Sequence, residues 1–126
     1  MRYKNILLID DDPDDQDIFL SALREISLSV ICHTATNGRD AMEKLAGRQI
    51  IPELIFLDLN MPVMTGQQFL QNIKNDESLN NIPVIIFSTS SNPLTIEQTK
   101  KLGATDFITK PHHFGQLKDI LQAIIL

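Results

Sequence analysis

Five short apolar runs alternate with segments of helical periodicity along this chain, and this alternation is the strongest constraint on its fold. The runs are rich in branched aliphatic residues, as expected for strands that are buried on both faces. Strands that are separated by helices pair in parallel through right-handed crossovers. The sequence therefore predicts one doubly wound α/β domain over residues 1–126, with a five-stranded parallel sheet and helices on both faces. The predicted strands are residues 6–9, 29–35, 54–57, 84–87 and 106–109.

Composition narrows the class of protein. With 126 residues, of which 43% are apolar, the chain is large enough for its own hydrophobic core. The net charge of −5 argues against nucleic acid as a direct ligand and against an anionic membrane surface. The single cysteine, Cys32, excludes an internal disulfide, fits a reducing compartment and is predicted to be a buried strand thiol. No apolar stretch reaches the roughly 18 residues that span a bilayer, and the N-terminus does not resemble a signal peptide. We therefore expect a cytoplasmic protein.

Three consecutive aspartates, Asp10, Asp11 and Asp12, follow directly on the first apolar run. Adjacent carboxylates repel each other strongly unless a cation neutralises them, and carboxylate oxygens suit Mg²⁺. A solvated acidic turn that caps the next helix is the alternative, and the run by itself favours neither interpretation. Asp12 is the predicted N-cap of that helix, with Pro13 in its first turn.

Polar side chains end the other predicted strands as well, and in open parallel sheets ligands bind at the carboxyl ends of strands. A carboxylate can act as a nucleophile toward phosphorus, and phosphoryl transfer otherwise requires mainly positioning and charge neutralisation. A Mg²⁺ ion, a lysine and a hydroxyl would supply that neutralisation. Each of these residues alone has an ordinary structural explanation, but their occurrence at successive strand ends favours a phosphoryl-transfer site. The residues concerned are Asp10, Asp11, Asp58, Ser88 and Lys110.

Four stretches of the chain carry a resemblance to a known family. They are ILLIDDD at 6–12, LIFLDLNMP at 54–62, PVIIFS at 83–88 and FITKP at 107–111. With these stretches in this order, the whole chain resembles a response-regulator receiver domain of two-component signalling, similar to the single-domain chemotaxis-type regulators. The resemblance implies a flavodoxin-like receiver fold and a phosphoprotein that uses Mg²⁺.

The resemblance also implies a role for individual residues at the metal. Asp58 matches the phosphoacceptor. Asp10 and Asp11 match the acidic pair that holds Mg²⁺, with Asp11 the more direct ligand. Asn60 matches the residue that offers its backbone carbonyl to the metal.

Three further residues match positions that respond to the phosphoryl group. Ser88 matches the hydroxyl that turns toward it, Lys110 the ammonium that pairs with its oxygens, and Phe107 the aromatic whose rotamer reports the state. The family more often has threonine and tyrosine where this chain has Ser88 and Phe107. It also commonly has a very small residue where this chain has Thr89, which is expected to narrow phosphoryl access.

The implied activity is that of a switch and not of a turnover enzyme. A sensor histidine kinase or phosphotransfer protein would donate the phosphoryl group, and only slow self-catalysed phosphorylation and dephosphorylation are expected. The chain would then signal to a separate, unknown output protein through its fourth helix, fifth strand and fifth helix, or relay the phosphoryl group onward. The thinly apolar segment 92–102 fits a partner-binding element. No output domain and no direct contact with nucleic acid or membrane are expected, and the chain is predicted to be a monomer or weak dimer.

Two other functions are the alternatives to a phosphorylation switch. A phosphohydrolase with an aspartate nucleophile would need further acids after a late strand, where residues 88–91 read Ser-Thr-Ser-Ser. An interaction module without phosphorylation would not need so complete a site.

His112 and His113 are interpreted as surface residues that begin the last helix, and His33 as structural. The apolar end 123–126 is either a contact surface or the point at which a longer chain is cut.

Overall fold

The computed structural model describes residues 2–90 and 92–126, which form alternating strands and helices as predicted. The strands make one parallel sheet in the order β2-β1-β3-β4-β5. This strand order was not predicted. The elements are β1 (Asn5–Ile9), α1 (Pro13–Ile26), β2 (Ile31–Ala35), α2 (Gly38–Ala46), β3 (Leu54–Leu57), α3 (Gly66–Lys74), β4 (Val84–Ser88), α4 (Pro93–Lys101), β5 (Asp106–Thr109) and α5 (Phe114–Ile125).

The central strands β1 and β3 are buried on both faces, as their uninterrupted aliphatic sequences require. Side chains alternate between the faces of a strand, so Leu7 and Ile9 pack toward α2 and α3, whereas Ile6 and Leu8 pack toward α1 and α5. This two-sided core holds the strand ends in fixed register. The side chains at the predicted ligand-binding edge of the sheet therefore extend from well-packed strands.

Helix caps fix where the chain leaves this edge. The side chain of Asp12 accepts a hydrogen bond from the backbone N–H of Asp14 at 2.9 Å, and Pro13 is the first residue of α1. The predicted N-cap role of Asp12 is therefore confirmed. Asn92 caps α4 in the same way ahead of Pro93, again as predicted.

Three local predictions were wrong. Strand β2 begins at Ile31 and not at residue 29, because pairing with β1 starts at Asn5, which lies opposite Ile31. Helix α5 begins at Phe114, with His113 as its extended N-cap, so His112 and His113 precede the helix. Cys32 is only half-buried, because β2 is an edge strand with a single neighbour. Burial nevertheless raises the pKa of its thiol to about 12, so the thiol is protonated at neutral pH.

None of the helices in the described part of the chain has the length and apolarity needed to cross a membrane. At the C-terminus, Ile125 is fully buried in the core, whereas Leu126 is exposed. The apolar end therefore serves the core in part.

Candidate functional site

The carboxyl ends of β1 and β3 place three carboxylates together. Ile9 pairs with Leu57, so Asp10 and Asp58 follow paired residues on adjacent strands, and the N–H of Asp58 donates to the carbonyl of Ile9 at 3.0 Å. One carboxylate oxygen from each of Asp10, Asp11 and Asp58 lies within 4.8 Å of the others. Asp10 and Asp58 are 2% and 7% exposed, whereas Asp11 is exposed. The cluster is therefore buried on one side and open to solvent on the other.

This donor set suits a hard divalent cation. All three groups are carboxylate oxygens, which are the ligands that Mg²⁺ prefers, and the open side leaves room for further ligands. The anionic surroundings also act on Asp58. Burial raises the pKa of Asp58 to about 6, with the charges of Asp10 and Asp11 adding to the rise and Lys110 opposing it. A bound cation would relieve this unfavourable crowding of negative charge.

Asn60 lies two residues beyond Asp58 in the loop that follows β3. Its backbone N–H donates to Oδ1 of Asp58 at 3.4 Å, a long hydrogen bond that orients the carboxylate. The loop then turns closely over the start of α3. A Cβ atom on Gly66 would lie 2.7 Å from the carbonyl oxygen of Asp58 and from Cα of Leu59, so only glycine fits there. That the backbone carbonyl oxygen of Asn60 coordinates the metal stays a prediction.

Lys110 brings a positive charge to the same cluster. Its backbone N–H donates to the carbonyl of Ser88 at 2.8 Å, which fixes the residue beside the end of β4. Its Nζ lies 2.8 Å from Asp10 Oδ2, 2.9 Å from Asp15 Oδ2 and 3.5 Å from Asp58 Oδ2. Burial would lower the pKa of Lys110, but the hydrogen bonds to Asp10 and Asp15 and the charge of Asp58 outweigh it and raise that pKa. The ammonium is therefore charged.

Ser88 ends β4, the strand next to β3. Leu57 pairs with Ile86, so Ser88 lies at the same edge of the sheet as Asp58. The residue is fully buried, and its Oγ accepts a hydrogen bond from the N–H of Ser90 at 3.3 Å. The structure thus places the predicted hydroxyl at the strand end that adjoins the carboxylate cluster. Thr89, which follows it, is exposed.

Phe107 lies farther from the carboxylates, on the edge strand β5. It is half-buried, packs against the core cluster of α2 and α3, and lines a cavity of about 300 Å³ between α4 and β5. Thr99 is the buried residue of α4, which agrees with the prediction that this helix has a thin core face. Phe107 thus lies between the core and a helix that buries few side chains.

Sequence reasoning missed two side chains at this site, both in the first turns of α1. Asp15 forms the ion pair with Lys110, and Gln16 donates from Nε2 to the carbonyl oxygens of Asp10 at 2.6 Å and Ala35 at 3.3 Å. The predicted cap at Asp12 could have revealed them, because a helix that begins at the site places the side chains of its first turn beside the carboxylates. The histidines take no part: His112 and His113 are exposed, and His33 is half-buried in β2.

Comparison with known proteins agrees with this architecture. The model of the response regulator receiver domain family matches residues 6–122. The chain is 31% identical over 117 residues to the probable C4-dicarboxylate response regulator DctR of Bacillus subtilis. The aligned region covers 93% of this chain and 50% of that protein. The chain thus spans about half the length of this relative.

Two solved structures are similar over nearly the whole chain. The phosphorylated cyanobacterial phytochrome response regulator RcpA superimposes with a TM-score of 0.88 at 33% identity, covering 97% of this chain and 91% of the other. The Mn(2+)-bound form of response regulator Rcp1 gives a TM-score of 0.86 at 28% identity, covering 96% of this chain and 91% of the other.

Proposed function

The chain belongs to the response-regulator receiver domain family, and we propose that it is a phosphorylation-dependent switch whose phosphoacceptor is Asp58. The observation that carries this proposal is the convergence of Asp10, Asp11 and Asp58 with the ammonium of Lys110 at one edge of the sheet. A carboxylate oxygen of Asp58, which directly follows the central strand β3, lies within 4.8 Å of oxygens of Asp10 and Asp11, and its Oδ2 lies 3.5 Å from the ammonium of Lys110. Those contacts are what a nucleophile toward an anionic phosphoryl group requires.

In the proposed reaction, an Oδ atom of Asp58 attacks the phosphorus of a phosphohistidine on a sensor kinase or phosphotransfer protein. A new P–O bond forms, the P–N bond breaks, and the departing imidazole nitrogen takes the electron pair and a proton from water. Asp58 must be ionised to attack, which its pKa of about 6 allows at neutral pH. Lys110 would neutralise one phosphoryl oxygen, and the buried hydroxyl of Ser88 would donate to another.

Asp10, Asp11 and Asp58, with the backbone carbonyl of Asn60, are the residues that would hold Mg²⁺. When bound, the ion supplies positive charge to the carboxylate and to the phosphoryl oxygens that approach it. The all-oxygen donor set supports this assignment, and so does the likeness to the Mn(2+)-bound form of Rcp1.

We propose that the signal leaves through α4, β5 and α5. Phe107 connects the site to this surface. It lies in β5, and Lys110 directly follows the last residue of that strand. The cavity between α4 and β5 and the thin core face of α4 are features of an element that repositions at low cost. The output protein, or an output region of the same polypeptide, would contact this surface in the cytoplasm. The segment 1–126 is proposed to be a single receiver domain.

The test is an intact-mass measurement after incubation with a small acyl phosphate and Mg²⁺. The proposal predicts the gain of one phosphoryl group, its loss in Asp58→Asn and its slowing in Asp11→Ala. Equal modification of Asp58→Asn would contradict the assignment. Hydrolysis of many phosphate-ester molecules per protein would favour the phosphohydrolase, and absence of any modification would favour the unphosphorylated interaction module.

A further inference from the structure

The ammonium of Lys110 is closer to two other carboxylates than to the proposed phosphoacceptor. Its Nζ donates hydrogen bonds to Asp10 Oδ2 at 2.8 Å and Asp15 Oδ2 at 2.9 Å, and it lies 3.5 Å from Asp58 Oδ2. To bind a phosphoryl oxygen on Asp58, the ammonium must therefore weaken at least one shorter ion pair. The strength of those ion pairs sets part of the cost of capturing the phosphoryl group.

Asp10 and Asp15 differ in how they respond to a metal. Asp10 belongs to the carboxylate cluster that would hold Mg²⁺. A bound cation would neutralise part of the charge of Asp10 and weaken the ion pair between Asp10 and Lys110. Asp15 does not belong to that cluster, and its ion pair with Lys110 would persist. The helix also fixes the backbone of Asp15 near the site, because it is the third residue of α1 and follows the Asp12 cap.

We propose that Asp15 is a positioning residue that retains the Lys110 ammonium at α1 and thereby weakens its capture of a phosphoryl group on Asp58. This inference rests on the proposed function of Asp58. The side chain of Asp15 is 36% exposed, so the ion pair is partly screened by water. Loss of its charge should therefore strengthen phosphoryl capture by about two- to fivefold.

The experiment titrates the protein with beryllofluoride, a tetrahedral phosphoryl mimic, at saturating Mg²⁺ and follows binding by calorimetry. Asp15→Asn should bind beryllofluoride two- to fivefold more tightly than the wild type, whereas Asp15→Glu, which retains the charge, should stay close to it. Asp14→Asn is the matched control. Asp14 is exposed and lies in the same helical turn, so its replacement removes an equal charge without touching Lys110. The control should match the wild type.

A double-mutant cycle separates positioning from a general structural role. In a Lys110→Met background, which binds the mimic more weakly, Asp15→Asn should have no further effect, because the ammonium on which it acts is gone. The inference is overturned if Asp15→Asn matches Asp14→Asn, or if its gain persists without Lys110. If the wild type itself does not bind beryllofluoride, or if Asp58→Asn binds it equally well, the proposed function of Asp58 fails as well.

Discussion

The Nζ of Lys110 lies 2.8 Å from Oδ2 of Asp10, although 100 residues separate the two along the chain. Asp10 follows β1 and Lys110 follows β5, and β3 and β4 lie between these strands in the sheet. The lysine side chain therefore crosses the ends of two strands, where its Nζ lies 5.8 Å from the ring centroid of Phe87. The site depends on the strand order of the whole domain, so variants must be tested in the full chain.

Replacing Asp58 with Asn should stabilise the metal-free protein at neutral pH. Burial raises the pKa of Asp58 from its ordinary 3.8 to about 6, so the folded protein holds this proton more tightly than the unfolded chain. Stability from this group is present below about pH 4, falls as the pH rises to about 6, and stays lost above that. The variant should gain on the order of 2 kcal/mol at pH 7.5 and little at pH 4.

Urea denaturation in the presence of a chelator, at both pH values, measures this difference. Asp17→Asn is the control, because this substitution removes the same formal charge at an exposed position of α1. Equal stability of Asp58→Asn and the wild type at pH 7.5 would show that the carboxylate is not destabilised by its surroundings.

Asp11→Asn should weaken Mg²⁺ binding by about tenfold or more, because it removes one of three charged oxygen donors. Asp12→Asn is the matched control: it removes a neighbouring charge outside the cluster and keeps an amide oxygen that can cap α1. Calorimetry is the suitable method, since the chain has no tryptophan to report binding by fluorescence. Similar Mg²⁺ affinities of the two variants would mean that general charge, and not ligation by Asp11, attracts the ion.

Asp12→Ala should lower the free energy of unfolding by about 1 kcal/mol, because the N–H of Asp14 loses its partner at the start of α1. Asp12→Asn should cost little, since asparagine caps helices about as well as aspartate. Thermal denaturation of the two variants side by side measures the difference. An equal loss in both would indicate that the charge of Asp12, and not its hydrogen bond, stabilises the helix.

Gly66→Ala should be destabilising by about 1–3 kcal/mol, because its Cβ would come within 2.7 Å of the backbone of Asp58 and Leu59. It should also lower Mg²⁺ affinity by displacing the loop that positions Asp58. Gly115→Ala is the control, because nothing lies within 4 Å of its Cβ and alanine favours a helix. The control should be neutral or slightly stabilising, and a neutral Gly66→Ala would show that the loop yields easily.

The strand ends of this site could be predicted from the sequence because each apolar run stops abruptly at a polar residue. Apolar runs identify the buried strands, and the first polar residue after each run must lie at the edge of a parallel sheet. Asp10, Asp58 and Ser88 were located in this way, and the structure places all three at the same edge. The cap at Asp12 was predictable for the same local reason.

The involvement of Asp15 could not be predicted, because it depends on long-range geometry. Its contact with Lys110 requires the strand order, the docking of α1 and the route of a long side chain across the sheet edge. The start of β2 at Ile31 likewise depends on where its neighbour begins, which local propensity does not encode. The capping box of Thr65 and Gln68 is a different case: its spacing was visible in the sequence and was overlooked.

The central claim, that Asp58 accepts the phosphoryl group, is tested most directly by locating the modification. Protein treated with a small acyl phosphate and Mg²⁺ is reduced with borohydride, which converts an aspartyl phosphate to homoserine, and its peptides are then sequenced by mass spectrometry. Homoserine at position 58, dependent on Mg²⁺, is the predicted result. Homoserine at position 10, 11 or 12 with an unmodified Asp58 would contradict the account.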